Sequence, residues 1–226
     1  MLLLGFGPGV RAVTISPVML ELSPLKRVAS VRVHNDSDEA MIFQADTLAW
    51  QQVDGEDRYT ETQELLVAPP MAEIAPGASQ IFRVTLRQPA TTGHERSYRL
   101  LLEDVTEETA TGPGAVKFRF RHNLPLFVSP PGTNRSDPRW SRCAAPAGKA
   151  CVRLDNEGNR HLRLTTLKVE GEGWSQEIKG GGTVLAGAWR QWLVEPGSAR
   201  ALPLRVMTAA GNGEALQAFE LAGPTP

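Results

Sequence analysis

Two acidic pairs, Glu103-Asp104 and Glu107-Glu108, are the first residues to weigh for chemistry, because paired carboxylates can act as general acid and base in glycoside hydrolysis. The surrounding pattern puts them at a strand end and in a loop, where carboxylates usually form a solvated polar edge. No serine stands in a G-x-S-x-G elbow, so a Ser-His-Asp hydrolase lacks its usual nucleophile. The stretch GPGAVK at 112–117 only superficially resembles a phosphate-binding loop and reads as a hairpin turn. Cys143 and Cys151 have no His pair nearby, and His34, His94, His122 and His161 are scattered, whereas a zinc site needs about four closely spaced ligands. A local disulfide fits the two cysteines better. It would contribute about 2.5 kcal/mol in the chain-entropy model and would need an oxidising compartment. Two unpaired buried thiols are the alternative. Sequons at Asn35-Asp36-Ser37 and Asn134-Arg135-Ser136 are short enough to arise by chance. Nothing in these residues argues for an enzyme, a metal or a cofactor.

A different pattern comes from AVKFRFRHNLPLFVSP, residues 115–130, where Val116, Phe118 and Phe120 alternate with Lys117, Arg119 and Arg121. Successive side chains of a strand point to opposite faces, so this segment carries an apolar stripe and a basic stripe. An ordinary half-buried sandwich strand shows the same alternation. The rest of the chain supplies its context. With 24 Lys plus Arg against 25 Asp plus Glu the formal net charge is -1, which gives no global field for nucleic acid or an anionic membrane. The 21 Gly and 17 Pro leave little room for long helices, and the length suits two domains of about 100 residues. We expect an all-β chain.

Short strands separated by turn signals follow from Val13 onward. RVASVRVHNDSDEA sets Val28, Ser30 and Arg32 against Ala29, Val31 and Val33 before an Asn-Asp-Ser-Asp turn, and Asp54-Gly55 and Pro76-Gly77 mark two more turns. About seven strands in roughly 115 residues is the spacing of an immunoglobulin-like sandwich. The expected division is a signal-peptide remnant or extension at 1–12, a first domain at 13–130, a Pro/Ser/Gly-rich linker at 131–138 and a smaller β-sandwich at 139–226. The apolar start MLLLGFGPGV lacks a basic n-region and a full h-region, so it reads as the tail of a secretory signal with Ala12 as a cleavage position.

LLVAPPMAEIAPGASQIFRVTLR carries the most specific signal: a strand, a double proline, then Ile74-x-Pro76-Gly77-x-x-Gln80-x-x-Arg83. This stretch resembles the signature of the periplasmic chaperones of the chaperone-usher pilus pathway, here of a divergent, archaic-like branch. VRVHNDSDEA, ERSYRLLLEDV and LPLFVSPPG stand in the matching order, so the resemblance covers most of residues 13–132. It implies two immunoglobulin-like domains set at an angle with a cleft between them. It also implies a periplasmic protein that binds pilus or fimbrial subunits by donor-strand complementation and delivers them to an outer-membrane usher. The free protein could cover its own edge by forming a self-dimer.

By position, the resemblance makes Val116, Phe118 and Phe120 the residues that fill the subunit's groove, with Leu124 extending the set. Members of the family hold the subunit's C-terminal carboxylate with two basic residues, but the matching positions here carry Met19 and Pro125. An archaic-branch Tyr-Arg pair is similar to Tyr98-Arg99, so Arg99 becomes the candidate anchor, with Arg121 and Arg83 as helpers. Glu95 stands at the acidic position of an interdomain ion pair whose basic partner is replaced by Ser129. The competing reading is a two-domain structural or adhesive module without a transfer role, which would keep its last strand paired and need no basic cleft.

Overall fold

The computed structural model describes residues 12–88, 93–107, 120–171, 173–195, 204–210 and 217–221, and every regular element among them is a β-strand. The chain divides into two compact units. One comprises Met1–Trp50, Tyr59–Ala90 and Ser97–Val128, and the other Gln51–Arg58, Thr91–Arg96 and Ser129–Pro226.

Ten strands begin the chain: β1 (Val13–Ser16), β2 (Leu20–Leu22), β3 (Val28–Asn35), β4 (Met41–Val53), β5 (Glu56–Glu61), β6 (Leu65–Ala68), β7 (Met71–Ile74), β8 (Ser79–Leu86), β9 (Arg96–Asp104) and β10 (Arg121–Val128). One sheet runs β1-β3-β8-β6 and the facing sheet β2-β10-β9-β4-β5, with β7 also paired to β4. Strand alternation drives this layering. In β3, Ala29, Val31 and Val33 are buried while Val28, Ser30 and Arg32 are exposed, so one face of the strand enters the core. Phe43, Phe82, Leu100, Leu102 and Leu126 meet between the two sheets. Asp54 (φ 54°) and Gly55 (φ 78°) join β4 to β5 in a two-residue turn, whose positive φ angles match the right-handed twist of the hairpin.

Seven strands follow: β11 (Pro138–Arg142), β12 (Ala150–Asn156), β13 (Leu162–Gly171), β14 (Trp174–Val184), β15 (Trp189–Val194), β16 (Leu204–Ala210) and β17 (Gln217–Leu221). They form the sheets β11-β12-β15 and β14-β13-β16-β17. Val152, Leu167, Val169, Val194 and Val206 fill one part of this core and Leu154, Leu162, Leu164 and Val184 another, with Trp140 and Trp192 packed against both. Cys143 and Cys151 form a disulfide with Cα atoms 5.0 Å apart, which sets aside the reading of two free thiols. The chain is therefore all-β with two immunoglobulin-like units.

The segment expected as a linker, 131–138, is hydrogen-bonded inside the second unit. The Arg135 carbonyl accepts from the Asn159 and Arg160 amides, and the Asp137 carbonyl accepts from Glu157. Gly158 is required there, since a Cβ would meet the Arg135 carbonyl oxygen at 2.3 Å.

Candidate functional site

Of the residues singled out for subunit binding, Phe120, Arg121 and Leu124 lie at or just before the first half of β10. Val116 and Phe118 lie outside the described residues. Phe120 is 49% exposed, and its carbonyl accepts a hydrogen bond from the Asp104 amide at 3.0 Å. Next to it, Arg121 donates through Nε (2.9 Å) and Nη2 (2.6 Å) to one oxygen of Glu103. Its charge is thus engaged by a neighbour on β9.

On the opposite face of β10, His122 begins the inward series. Burial lowers its pKa below the ordinary 6.5, against the opposing pull of the Asp104 carboxylate, and its Nε2 is buried with no hydrogen-bond partner among the described residues. Leu124 comes next and is 7% exposed, in the core with Leu126 and Val128. Its side chain is held by its own unit, which sets it apart from Phe120. Positions 120, 122, 124, 126 and 128 share one parity, so the stripe that is exposed at Phe120 becomes core by Leu124.

Neighbours of β10 change along its length. β2 is three residues long and pairs in parallel with Leu126–Val128 only. Among the described residues, the first five positions of β10 therefore have only β9 as a strand neighbour. Leu126 pairs with Leu20, so the two neutral residues at the family's basic positions, Pro125 and Met19, stand one step before that pair. A proline at an edge removes no ladder donor that a neighbour was using.

Arg99 lies on β9 opposite Leu48 of β4. The Asp104–Phe120 and Glu103–Arg121 contacts fix the β9–β10 register, and carried along the antiparallel pair it sets Arg99 beside Pro125. The guanidinium sits 3.8 Å above the centre of the Trp50 ring and 5.7 Å from that of Tyr59. Such stacking orients a cation without neutralising it. No carboxylate pairs with Arg99 among the described residues, and its Nε is buried without a hydrogen-bond partner. Tyr98 points the other way, into the core, where its hydroxyl donates to Glu64. Arg83 does not join this group, because β8 belongs to the other sheet, where Arg83 pairs with Ser30 and Ala68.

Two features escaped the sequence reading. Trp50 and Phe127 are both at or below 3% exposure with ring centres 5.8 Å apart, on the face of their sheet that also carries Arg99. The signal was the run Leu126-Phe127-Val128, apolar on both parities, which calls for burial on both faces. The other is the partner of Glu95. Its carboxylate accepts from the His161 amide (3.0 Å) and from the His161 ring at Nδ1 (2.7 Å), both residues belonging to the second unit. Sequence reasoning looked for a basic residue at Ser129 and passed over a histidine 66 positions away.

Residues 12–134 match the family described as pili and flagellar-assembly chaperone, PapD N-terminal domain. Among solved structures, the chain is similar to the chaperone–tip adhesion subunit pre-assembly complex CsuC–CsuE, from the archaic chaperone-usher Csu pili of Acinetobacter baumannii. Identity is 21%, coverage is 93% of this chain and 98% of that one, and the TM-score is 0.72. The chaperone YadV matches at 16% identity over 92% of this chain and 99% of its own, with a TM-score of 0.71. The Salmonella enterica SafA pilin in complex with the SafB chaperone matches at 17% over 93% and 96%, with a TM-score of 0.66. At these identities the likeness is one of fold. No curated protein matches the sequence.

Proposed function

The chain belongs to the pili and flagellar-assembly chaperone family, and from that premise we propose that it binds pilus subunits in the periplasm by lending them a strand. The donated segment is 115–120, leading into β10, with Val116, Phe118 and Phe120 entering the groove of a subunit that lacks its own last strand. Main-chain hydrogen bonds complete the subunit's sheet while alternate side chains give specificity. Burying two Phe and one Val contributes about 1.5 to 3 kcal/mol each, before the cost of ordering the segment is subtracted. The bound subunit then passes to an outer-membrane usher. Residues 13–130 form the subunit-binding domain in this reading.

The observation that carries it is Phe120. A large aromatic is left exposed on the same stripe that buries Leu124, Leu126 and Val128, just before the part of β10 that extends past β2. An apolar edge of this kind invites aggregation unless a partner occupies it. Arg99 is the proposed anchor for the subunit's C-terminal carboxylate. It is held over Trp50, lacks an acidic partner among the described residues and is free to form a charge-assisted pair.

The test is co-purification of the secreted chaperone with an affinity-tagged pilus subunit, for the wild type and for Phe118→Ser/Phe120→Ser. The expected result is a one-to-one complex with the wild type and none with the folded double variant. Undiminished capture by that variant would remove the strand assignment. Failure of the folded wild type with every pilus subunit of its host would favour the adhesive-module reading.

A further inference from the structure

The outer face of the β1-β3-β8-β6 sheet plays no part in strand donation. Its outward side chains are Thr14 and Ser16 on β1, Val28, Ser30, Arg32 and His34 on β3, Ser79, Ile81, Arg83 and Thr85 on β8, and Leu66 and Ala68 on β6. No carboxylate occupies any of these positions. At the end of the face, Asp36 is taken up by His34 and Thr14. Arg32 and Arg83 are exposed and form no ion pair among the described residues. In a chain whose formal net charge is -1, this face is locally cationic.

The two arginines are placed regularly. Ser30 pairs with Arg83 and Arg32 with Ile81, so the two cations are diagonal neighbours across adjacent strands. Diagonal pairs of this kind stand about 7 to 8 Å apart. Same-side residues of an extended chain repeat every ~6.8 Å. Beside Arg32, a depression of about 280 Å³ is lined by Ser16, Ser30, Arg32 and Ile81. Small hydroxyl residues and Ile81 thus form a floor next to a charge that has no counter-ion. Like charges on neighbouring strands repel, so an anion bridging both would remove an unfavourable term as well as add a favourable one.

We propose that this face is a docking site for an extended acidic segment of a partner protein, with carboxylates at every second residue contacting Arg32 and Arg83. The floor favours a peptide over a single-stranded nucleic acid, because no Phe, Tyr or Trp side chain stands on the face to stack successive bases. The assignment does not rest on strand donation, since β10 lies in the other sheet.

The probe is a fluorescein-labelled peptide of five Glu-Thr repeats, followed by anisotropy with the full chain. Arg32→Gln/Arg83→Gln is expected to weaken binding at least tenfold. A Gln-Thr peptide should bind wild type no better than the variant, and Arg58→Gln, on β5 of the other sheet, should leave affinity unchanged. Added salt should weaken the wild-type complex, as charge pairing on an exposed surface requires. Equal affinity of wild type and the double variant would overturn the proposal. So would capture of the protein by phosphatidylglycerol vesicles in place of the peptide, which would assign the face to a lipid surface.

Discussion

Asn35 at the end of β3 and Asn156 at the end of β12 are fully or almost fully buried, and each pins the corner of its own unit with matching hydrogen bonds. Asn35 Nδ2 donates to the carbonyls of Glu39 and Ile74, and its Oδ1 accepts from the Ser37 amide. Asn156 Nδ2 donates to the carbonyls of Arg160, Val184 and Leu185, and its Oδ1 accepts from the Gly158 amide. The backbone repeats the pattern. Asn35 exchanges bonds with Gly77 and Ala78, Asn156 with Gly187 and Ala188, and the two glycines have φ of 67° and 68°. The sequence around the two corners is alike as well, VRVHND at 31–36 against VRLDNE at 152–157, and both units solve the same problem: several carbonyls left over where a strand ends must find donors in the core. Asn suits this because one amide offers two donors and an acceptor. A buried Asn35 also has no amide to spare for a glycan, so its sequon is structural.

The units differ in what each adds to that shared frame. The second has a disulfide joining Cys143, just past β11, to Cys151 of β12, and its last strand, β17, pairs with β16 along its length. The first has no cysteine, and its last strand extends past its short neighbour β2 with Phe120 exposed. A frame used twice can be stapled in one copy and left open at an edge in the other. Under the proposed function, the open copy is the one that takes the partner.

The largest expected effect tests the shared corner. Asn35→Ala and Asn156→Ala should each destabilise their own unit by about 3 kcal/mol, since each orphans more than one buried polar group. Hydrogen exchange resolved by residue checks this, and a cost in only one unit would break the equivalence. Next comes the staple. Cys143→Ser/Cys151→Ser should lower the second unit's unfolding free energy by about 2.5 kcal/mol and leave the first unit's exchange rates unchanged. Arg99→Ala should weaken subunit capture about tenfold, with little change in melting temperature, in the co-purification assay made quantitative by titration. Equal affinity would move the anchor elsewhere.

The smallest effect concerns His122. Its folded-state pKa is depressed, so as pH falls the unfolded chain takes up the proton first. Its stabilising contribution is complete above 6.5 and is lost as pH falls through 6.5 toward the folded value. His122→Gln should flatten the fall in melting temperature between pH 7 and 5, an effect expected in the first unit and read by thermal melts across that range.

The strands were legible because their periodicity is local. VASVRV alternates, and β3 alternates in burial. The turn at Asp54-Gly55 was legible for the same reason. The corners were not, because Asn35 meets the Ile74 carbonyl 39 residues away and Asn156 the Leu185 carbonyl 29 away, and no local pattern encodes such a meeting. The surroundings of Arg99 were half legible. Its own position followed from the family resemblance, but the Trp50 ring beneath it comes from β4, a different part of the sequence, through the pairing of Leu48 with Arg99. Leu124 shows the opposite limit: parity placed it on the right stripe without telling where along that stripe burial begins.

That stripe gives β10 the character of a phase-locked ruler. Because the inward side at Leu124, Leu126 and Val128 and the exposed side at Phe120 are one parity, the core fixes the phase of the strand back to Phe120. In the proposed donor strand, inserting a single residue between Phe120 and Leu124 would leave the anchored end in place while turning the stripe of Val116, Phe118 and Phe120 over and presenting Lys117 and Arg119 in its stead. Inserting two would restore the apolar face, displaced along the strand by one repeat.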